Sequence, residues 1–463
     1  MNRKIAAKPF GMKDKIGYMF GDFGNDFTFI LSSMFLMKFY TDVMGVDGAV
    51  VGLMMMLARF VDAFTDVTMG QIVDRSTPGE RGKFLPWIRR MCGPVAVASL
   101  LMYATWFSGM SLGFKTAWMF ATYLLWGSVC YTGVNIPYGS MASAISADPG
   151  ERAELSKWRT VGASLASAVI GILVPLVVYY TDANGNQAIS GIRMTATAAA
   201  CSAGAVLCYL LCYRMTTERV KVKRKEEKFC LEDLSGLFKN RSMIAIIIST
   251  VAAVGAQTTV NGMAAYIYPN YFGNPAAQSV STAAGIVLTL VCAVFVVKLT
   301  DRFGRKEVSA AAALFSSVIL IVLTVMHTAD AWVFVALYSL VYGGYGLFSL
   351  ITWAMITDVI DDAEVKSGRR EDGAIYSVYS FSRKLGQALS IGIYGLLLSL
   401  IGYRQETAFL PEVTEGIYYI SCLQPLVCFL VLAATLKFLY PLGKDRVLKN
   451  AECLAQKREM EES

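Results

Sequence analysis

Residues 58–83 read ARFVDAFTDVTMGQIVDRSTPGERGK. The stretch begins inside a long apolar run and ends in a cluster of charges. Apolar runs of roughly 20 residues are long enough to cross a bilayer as a helix. Yet this run holds Arg59, Asp62 and Asp66. A charge at the centre of a spanning helix costs about 2.5–3.5 kcal/mol on insertion scales, so such residues normally face a water-filled cavity and mark an ion or substrate path. The stretch therefore implies a membrane helix that carries something polar, followed by the acidic-basic turn Asp74-Arg75 and Arg81-Gly82-Lys83.

The rest of the chain agrees. Of 463 residues, 55% are hydrophobic and 17% charged, against about 25% charged in a soluble domain. The shortage falls in blocks. About twelve apolar spans are expected, at 18–42, 47–73, 86–107, 116–146, 160–181, 194–213, 243–268, 277–299, 308–326, 332–358, 374–402 and 416–440. The fold class is thus an all-α polytopic membrane protein. The ten cysteines form no CxxC pair and lie mostly in apolar blocks, where cysteine behaves as a small hydrophobe. A chain with one histidine, His327, is a poor candidate for histidine catalysis or a zinc site.

Basic residues cluster on alternate connections. Lys13 and Lys15 precede the first span, Arg75, Arg81 and Lys83 follow the second, and Arg152 and Lys157 follow the fourth. RVKVKRKEEK lies in the central loop, Arg302, Arg305 and Lys306 follow the eighth span, Lys366, Arg369 and Arg370 the tenth, and Lys444, Arg446 and Lys449 the last. Basic loops mark the cytoplasmic side. The alternation places both termini in the cytoplasm and accounts for the net charge of +7 without nucleic acid. The first apolar block reads as an uncleaved helix.

The chain also repeats itself. Gly70-Gln-Ile-Val-Asp74-Arg75 after the second span is echoed by Lys298-Leu-Thr-Asp301-Arg302 after the eighth. Two six-span halves related in parallel are a transporter architecture. The expected division is an N-terminal six-helix bundle (1–213), a basic cytoplasmic linker (214–242), a C-terminal six-helix bundle (243–442) and a cytoplasmic tail (443–463).

Charges inside the spans are few, and those that stand out are Asp26, Arg59, Asp62, Asp66 and Lys384, with Arg159 and Arg383 near span starts. Asp62 and Asp66, four apart, point to one helix face. Their mutual repulsion is relieved by Arg59, by a proton, or by a bound monovalent cation. Thr65 and Thr132 offer neutral oxygens of the kind that suit Na⁺. Lys384 is suited either to pairing with an acid or to receiving an anionic substrate. Tyr138, Trp353, Tyr376 and Tyr379 are candidate flat faces for a sugar. In Asn135-Ile-Pro137-Tyr138 the proline is expected to break the fourth helix and bare backbone beside a polar Asn, which is tolerated where it lines a cavity.

These residues carry a resemblance. Gly21-Asp22-Phe-Gly24-Asn25-Asp26, Phe60-Val-Asp62-Ala-Phe-Thr65-Asp66, Arg81-Gly-Lys83-Phe-Leu-Pro86-Trp87, Val134-Asn135-Ile-Pro137-Tyr138-Gly139-Ser140 and Tyr379-Ser380-Phe-Ser-Arg383-Lys384 together resemble the glycoside-pentoside-hexuronide:cation symporters of the major facilitator fold. The likeness covers nearly the whole chain, and its motifs look closest to bacterial glucuronide carriers. It implies twelve transmembrane helices in the cell inner (plasma) membrane of a bacterium. It implies no enzyme activity and no cofactor, only a small-molecule sugar or glycoside and a coupling cation, Na⁺ or H⁺. By similarity to the melibiose carrier branch, Asp62, Asp66, Thr65 and Thr132 form the cation site, with Thr65 where that branch has Asn. Asp26, Asn135 and Arg159 align with its sugar-binding residues, and Lys384 aligns with its cavity lysine, which lies between the cation and sugar sites. Asn25 stands where that branch has Lys, Asn135 where it has Asp, and Gly139 where it has a stacking Trp. Loss of a carboxylate with Arg159 and Lys384 kept makes an anionic sugar the favoured substrate. A pentoside, a xyloside or a neutral β-glycoside remains the alternative, as does a sugar sensor that does not transport.

Overall fold

A computed structural model describes residues 9–79, 81–220, 240–367 and 372–462. Among these residues the chain forms twelve long helical rods and a terminal helix. They are α1 (Met12–Asp42), α2 (Gly48–Arg75), α3 (Leu85–Met102), α4 (112–145), α5 (Pro149–Val178), α6 (Gly191–Met215), α7 (Arg241–Tyr271), α8 (Pro275–Phe303), α9 (Arg305–Met326), α10 (Ala331–Ser367), α11 (Asp372–Leu400), α12 (Pro411–Leu439) and α13 (Lys444–Glu462). Each expected span falls on one rod, and eight rods are long and apolar enough to cross a membrane by length and composition. Side chains of Asp47, Ser111, Asp148, Ser190, Asn240 and Asn274 accept from backbone N–H groups and start six of them, which satisfies donors that a helix end leaves without a partner.

Three expected details differ. α3 ends at Met102, followed by a single turn at Thr105–Phe107, so the third span is shorter than 86–107. α5 starts at Pro149 rather than near 160, because Asp148 caps it and Pro149 takes the first position. Arg159 consequently lies within a helix, not at its start. In α4 the break is not at Pro137, which stays inside α-helix Thr132–Ile145. It lies upstream, in a wider π-helical stretch at Leu125–Tyr131, where the Thr132 N–H reaches back to the Gly127 carbonyl. Such insertions recur at functional sites. A hairpin of β1 (Tyr179–Thr181) and β2 (Gln187–Ile189), paired Tyr179 with Ile189 and Thr181 with Gln187, links α5 to α6.

The chain divides into two compact units. One comprises the described parts of Met1–Glu226 with Ser399–Leu410, the other those of Glu227–Leu398 with Pro411–Ser463. The helix pairing inside one is repeated inside the other. In the N-terminal unit α1 packs on α6, α3 on α6, α3 on α4 and α2 on α4. In the C-terminal unit α7 packs on α12, α9 on α12, α9 on α10 and α8 on α10. Every pair is shifted by six helices, as the motif repeat implies.

Ser399–Leu410 joins two helices of the C-terminal unit but groups with the N-terminal one. Tyr403 Oη donates to Asp42 (2.8 Å), Lys38 is buried with its Nζ 2.7 Å from Asp42, and Ser399 Oγ donates to Asp47 (3.0 Å). Lys38 is a buried charge that the sequence reading did not single out. Most of the basic linker, 221–239, lies outside the described residues, as do Arg369 and Arg370. The segment before it is anchored: Glu218 accepts from the N–H groups of Lys83, Phe84 and Leu85 (2.7–2.8 Å), and Arg219 pairs with Asp14. The acidic-basic turns are tied within their own units. Asp74 pairs with Lys83 at 3.0 Å, and Lys444 donates to the Asp301 carbonyl at 2.6 Å. His327 ends α9 with φ of +42° and stacks on Tyr419, a structural use of the one histidine.

Candidate functional site

The opening stretch lies on α2, where Asp62 and Asp66 share a face, and the opposing element is α4. Ser128 Oγ donates to Asp62 Oδ1 at 2.6 Å, and Thr132 Oγ1 donates to Asp66 Oδ1 at 2.8 Å. The acids are four residues apart, and so are the hydroxyls that meet them. Gly127 makes room: a Cβ there would stand 3.3 Å from Asp62 Oδ1. Arg59 Nη1 is 3.3 Å from Asp62 Oδ2, and its guanidinium lies over the rings of Phe29 (5.2 Å) and Tyr123 (5.9 Å). The ion pair of Arg59 with one carboxylate is therefore present, at Oδ2 of Asp62. Thr65 turns its hydroxyl to its own helix, donating to the Asp62 carbonyl at 3.2 Å, and of the two threonines it is Thr132 that meets a carboxylate directly. Among the described residues no group of three or more His, Cys, Asp or Glu is placed to hold a metal ion. Two carboxylates with hydroxyls suit a monovalent cation or a proton rather than a transition metal.

The same strip of α4 turns its other side to α1. Asn25 Nδ2 donates to Tyr131 Oη (2.9 Å) and to Asn135 Oδ1 (3.1 Å), and Tyr209 Oη on α6 donates to Asn25 Oδ1 (3.2 Å). Asp26, half-buried, lies within electrostatic reach of Tyr131 and Tyr209. Ser128 and Thr132 thus face the acids of α2, while Tyr131 and Asn135 face the amide of α1. Both pairs have helical i, i+4 spacing and interleave on one segment.

Arg159 supplies the cation of this region. Its Nε donates to Asp22 Oδ1 at 2.9 Å, and its guanidinium lies 5.4 Å over the Tyr138 ring. Tyr138 is buried, stacked on Tyr18 at 4.6 Å, with its hydroxyl donating to the Tyr18 carbonyl at 2.8 Å. Buried in this way, Tyr138 shapes the position of Arg159 instead of offering an open platform. The rods meet closely here because Gly162, one turn beyond Arg159, lets α5 touch α1: a Cβ would stand 2.5 Å from the Met19 carbonyl oxygen.

In the C-terminal unit, Trp353 on α10 and Tyr376 on α11 are each about half exposed and stack at 5.9 Å, with Tyr379 edge-on to Trp353. Lys384 is half-buried on α11. The structure thus brings Asp62, Asp66 and Thr132 together, joins Asn25 to Asn135, and pairs Trp353 with Tyr376. Sequence reasoning missed Ser128, Tyr131, Tyr209 and Asp22. The four-residue echo of Ser128 and Thr132 against Asp62 and Asp66 was a readable signal, and Asp22 stood four residues before Asp26 on the same helix.

The pattern of the family described as MFS/sugar transport protein matches residues 17–444. An uncharacterized symporter, YjmB, of Bacillus subtilis is 30% identical over 97% of this chain and 96% of its own. The glucuronide carrier protein homolog of Escherichia coli is 31% identical, covering 92% of each chain. A putative glycoside/cation symporter, YagG, of the same organism is 30% identical over 94% of this chain and 93% of its own. Among solved structures, a bacterial homolog of the human lysosomal transporter Spinster matches with a TM-score of 0.68 at 13% identity, over 96% of this chain and 99% of its own. At that identity the likeness shows the major facilitator fold alone.

Proposed function

The chain belongs to the glycoside-pentoside-hexuronide:cation symporter family of the major facilitator superfamily, multi-pass membrane transporters rather than enzymes, and from that premise we propose that it imports a glycoside, a glucuronide or other hexuronide in particular, together with Na⁺ or H⁺. The observation that carries the reading is the double-sided strip 128–135 of α4. One side holds Asp62 and Asp66, the other holds Asn25. Two ionised carboxylates repel, and a bound cation lowers that repulsion. Closing of the acids around a cation moves Ser128 and Thr132, and with them Tyr131 and Asn135. Cation and sugar sites then share one rigid element, so each ligand favours the strip position that the other needs. Coupling of this kind is a reciprocal binding free energy.

In this proposal Asp62, Asp66, Thr132 and Thr65 form the cation site. Asn25, Asp26, Asn135 and Arg159 form the substrate site, with Tyr138 holding Arg159. Lys384, Trp353 and Tyr376 are proposed as further substrate contacts, the aromatic pair suiting a sugar face and the lysine an acid group. Arg159 and Lys384 favour an anionic sugar, and the relative named a glucuronide carrier homolog supports that class. The carrier exposes its site alternately to each side of the membrane.

The test is Asp62→Cys in membrane vesicles. Cation-stimulated uptake is expected to be abolished while sugar exchange at equal cation on both sides persists. Normal cation stimulation in this variant removes Asp62 from the coupling site. In the native protein, exchange without net gradient-driven uptake makes it an exchanger rather than a symporter, and binding without exchange makes it a sensor.

A further inference from the structure

The Arg159–Asp22 pair is lopsided. The arginine side chain is 43% exposed and the aspartate side chain 7%. A solute that reaches the pair meets the guanidinium first, with the carboxylate behind it. Arg159 is held by both the Tyr138 ring and Asp22, so its position is set before any ligand arrives. Resting on the proposed import of an acidic glycoside, we propose that Asp22 is an internal stand-in for the substrate's acid group: the incoming carboxylate displaces it from Arg159, and the displaced Asp22 takes up a proton.

The charge balance requires the proton. Before binding, Arg159 and Asp22 sum to zero. After binding, Arg159 is paired with the substrate carboxylate, and Asp22 is left buried without its guanidinium. An isolated buried carboxylate is costly and neutralises instead. A proton from water on the side of entry adds to the Asp22 carboxylate to give the acid, and it leaves when the substrate does and Asp22 returns to Arg159. The groups facing Asp22 do not replace the guanidinium. They are Tyr18 on its own helix, with Asp26 one turn further along that helix, Tyr131 and Tyr138 on α4, and Tyr209 on α6. Apart from Arg159 none is a cation, and Asp26 adds to the negative charge. The proton that accompanies an acidic sugar is therefore separate from whatever ion occupies Asp62 and Asp66, and a neutral sugar does not call for it.

The experiment uses 4-nitrophenyl β-D-glucuronide and 4-nitrophenyl β-D-glucoside, which differ in a carboxylate against a hydroxymethyl. Binding to the purified full chain is measured calorimetrically at saturating Na⁺, in buffers of different ionisation enthalpy, which counts protons taken up. The native protein is expected to take up close to one proton more per glucuronide than per glucoside, whichever ion occupies Asp62 and Asp66. Its glucuronide Kd is expected to rise about tenfold per pH unit above neutrality. Asp22→Asn is expected to abolish the extra proton uptake and raise the glucuronide-to-glucoside affinity ratio about tenfold, whereas Asp22→Glu retains it. The native-protein proton count stands even where a variant does not fold. Glucuronide binding without the extra proton overturns the proposal and leaves the sugar reading intact, as does an unchanged ratio in Asp22→Asn. Binding of neither glycoside by the native protein overturns both.

Discussion

Ser128 illustrates what a single hydroxyl does in this protein. Its oxygen lies 2.6 Å from Asp62 Oδ1, so a cation held by that carboxylate also lies within reach of the hydroxyl oxygen. Ser128→Ala leaves the carboxylate with one oxygen neighbour fewer. We expect the cation concentration for half-maximal uptake to rise about fivefold to thirtyfold, the equivalent of ~1–2 kcal/mol for one lost polar contact. Titration of uptake against Na⁺ or pH checks it, and an unchanged midpoint removes Ser128 from the site. At this scale much was legible in the sequence. Asp62, Asp66 and Thr132 stood out because charge and hydroxyl are expensive or specific inside apolar helices. The partners were less legible: Asp22 and Asp26 sit on one helix within the same motif, and only the packing of α5 on α1 decides that Arg159 meets Asp22.

At the scale of the element, glycine sets the distances that the site needs. Gly162 allows α5 to approach α1 beside Asp22, where a Cβ would meet the Met19 carbonyl oxygen at 2.5 Å. That oxygen is backbone and cannot swing away, so α5 itself must shift. Gly162→Ala is expected to loosen Arg159 from Asp22 and raise the substrate KM about tenfold, in the range of a crowded core substitution. Gly93→Ala on α3, where nothing stands within 4 Å, is expected to leave KM within about twofold. Equal effects of the two substitutions contradict this account of the packing. Six helix starts carry a polar cap, and the apolar blocks located the twelve rods, eight of which are long and apolar enough to cross a membrane. Helix irregularities were not readable in this way. Pro137 looked like the break in α4, yet a proline leaves a helix passable when neighbouring helices brace it. The wider turn at Leu125–Tyr131 instead carries no composition signal beyond Gly127.

At the scale of the whole molecule, the chain is two compact units with the same internal helix pairing. The motif repeat at Asp74-Arg75 and Asp301-Arg302 announced the duplication, because equivalent turns in equivalent units face equivalent constraints. Grouping of Ser399–Leu410 with the N-terminal unit was not readable, since it depends on Tyr403 finding Asp42 far away in sequence. The functional residues described above are unequally divided: the acid pair, its hydroxyls and the Asn25 network all belong to the N-terminal unit. On the proposed reading this unit couples a cation to a sugar. The most direct measurement is uptake of a labelled aryl glucuronide into vesicles carrying the native chain, with inward Na⁺ and inward H⁺ gradients imposed separately. The account predicts accumulation above equilibrium with at least one gradient and its loss in Asp62→Cys. Uptake that ignores both gradients, or that persists with the gradient response intact in Asp62→Cys, contradicts it.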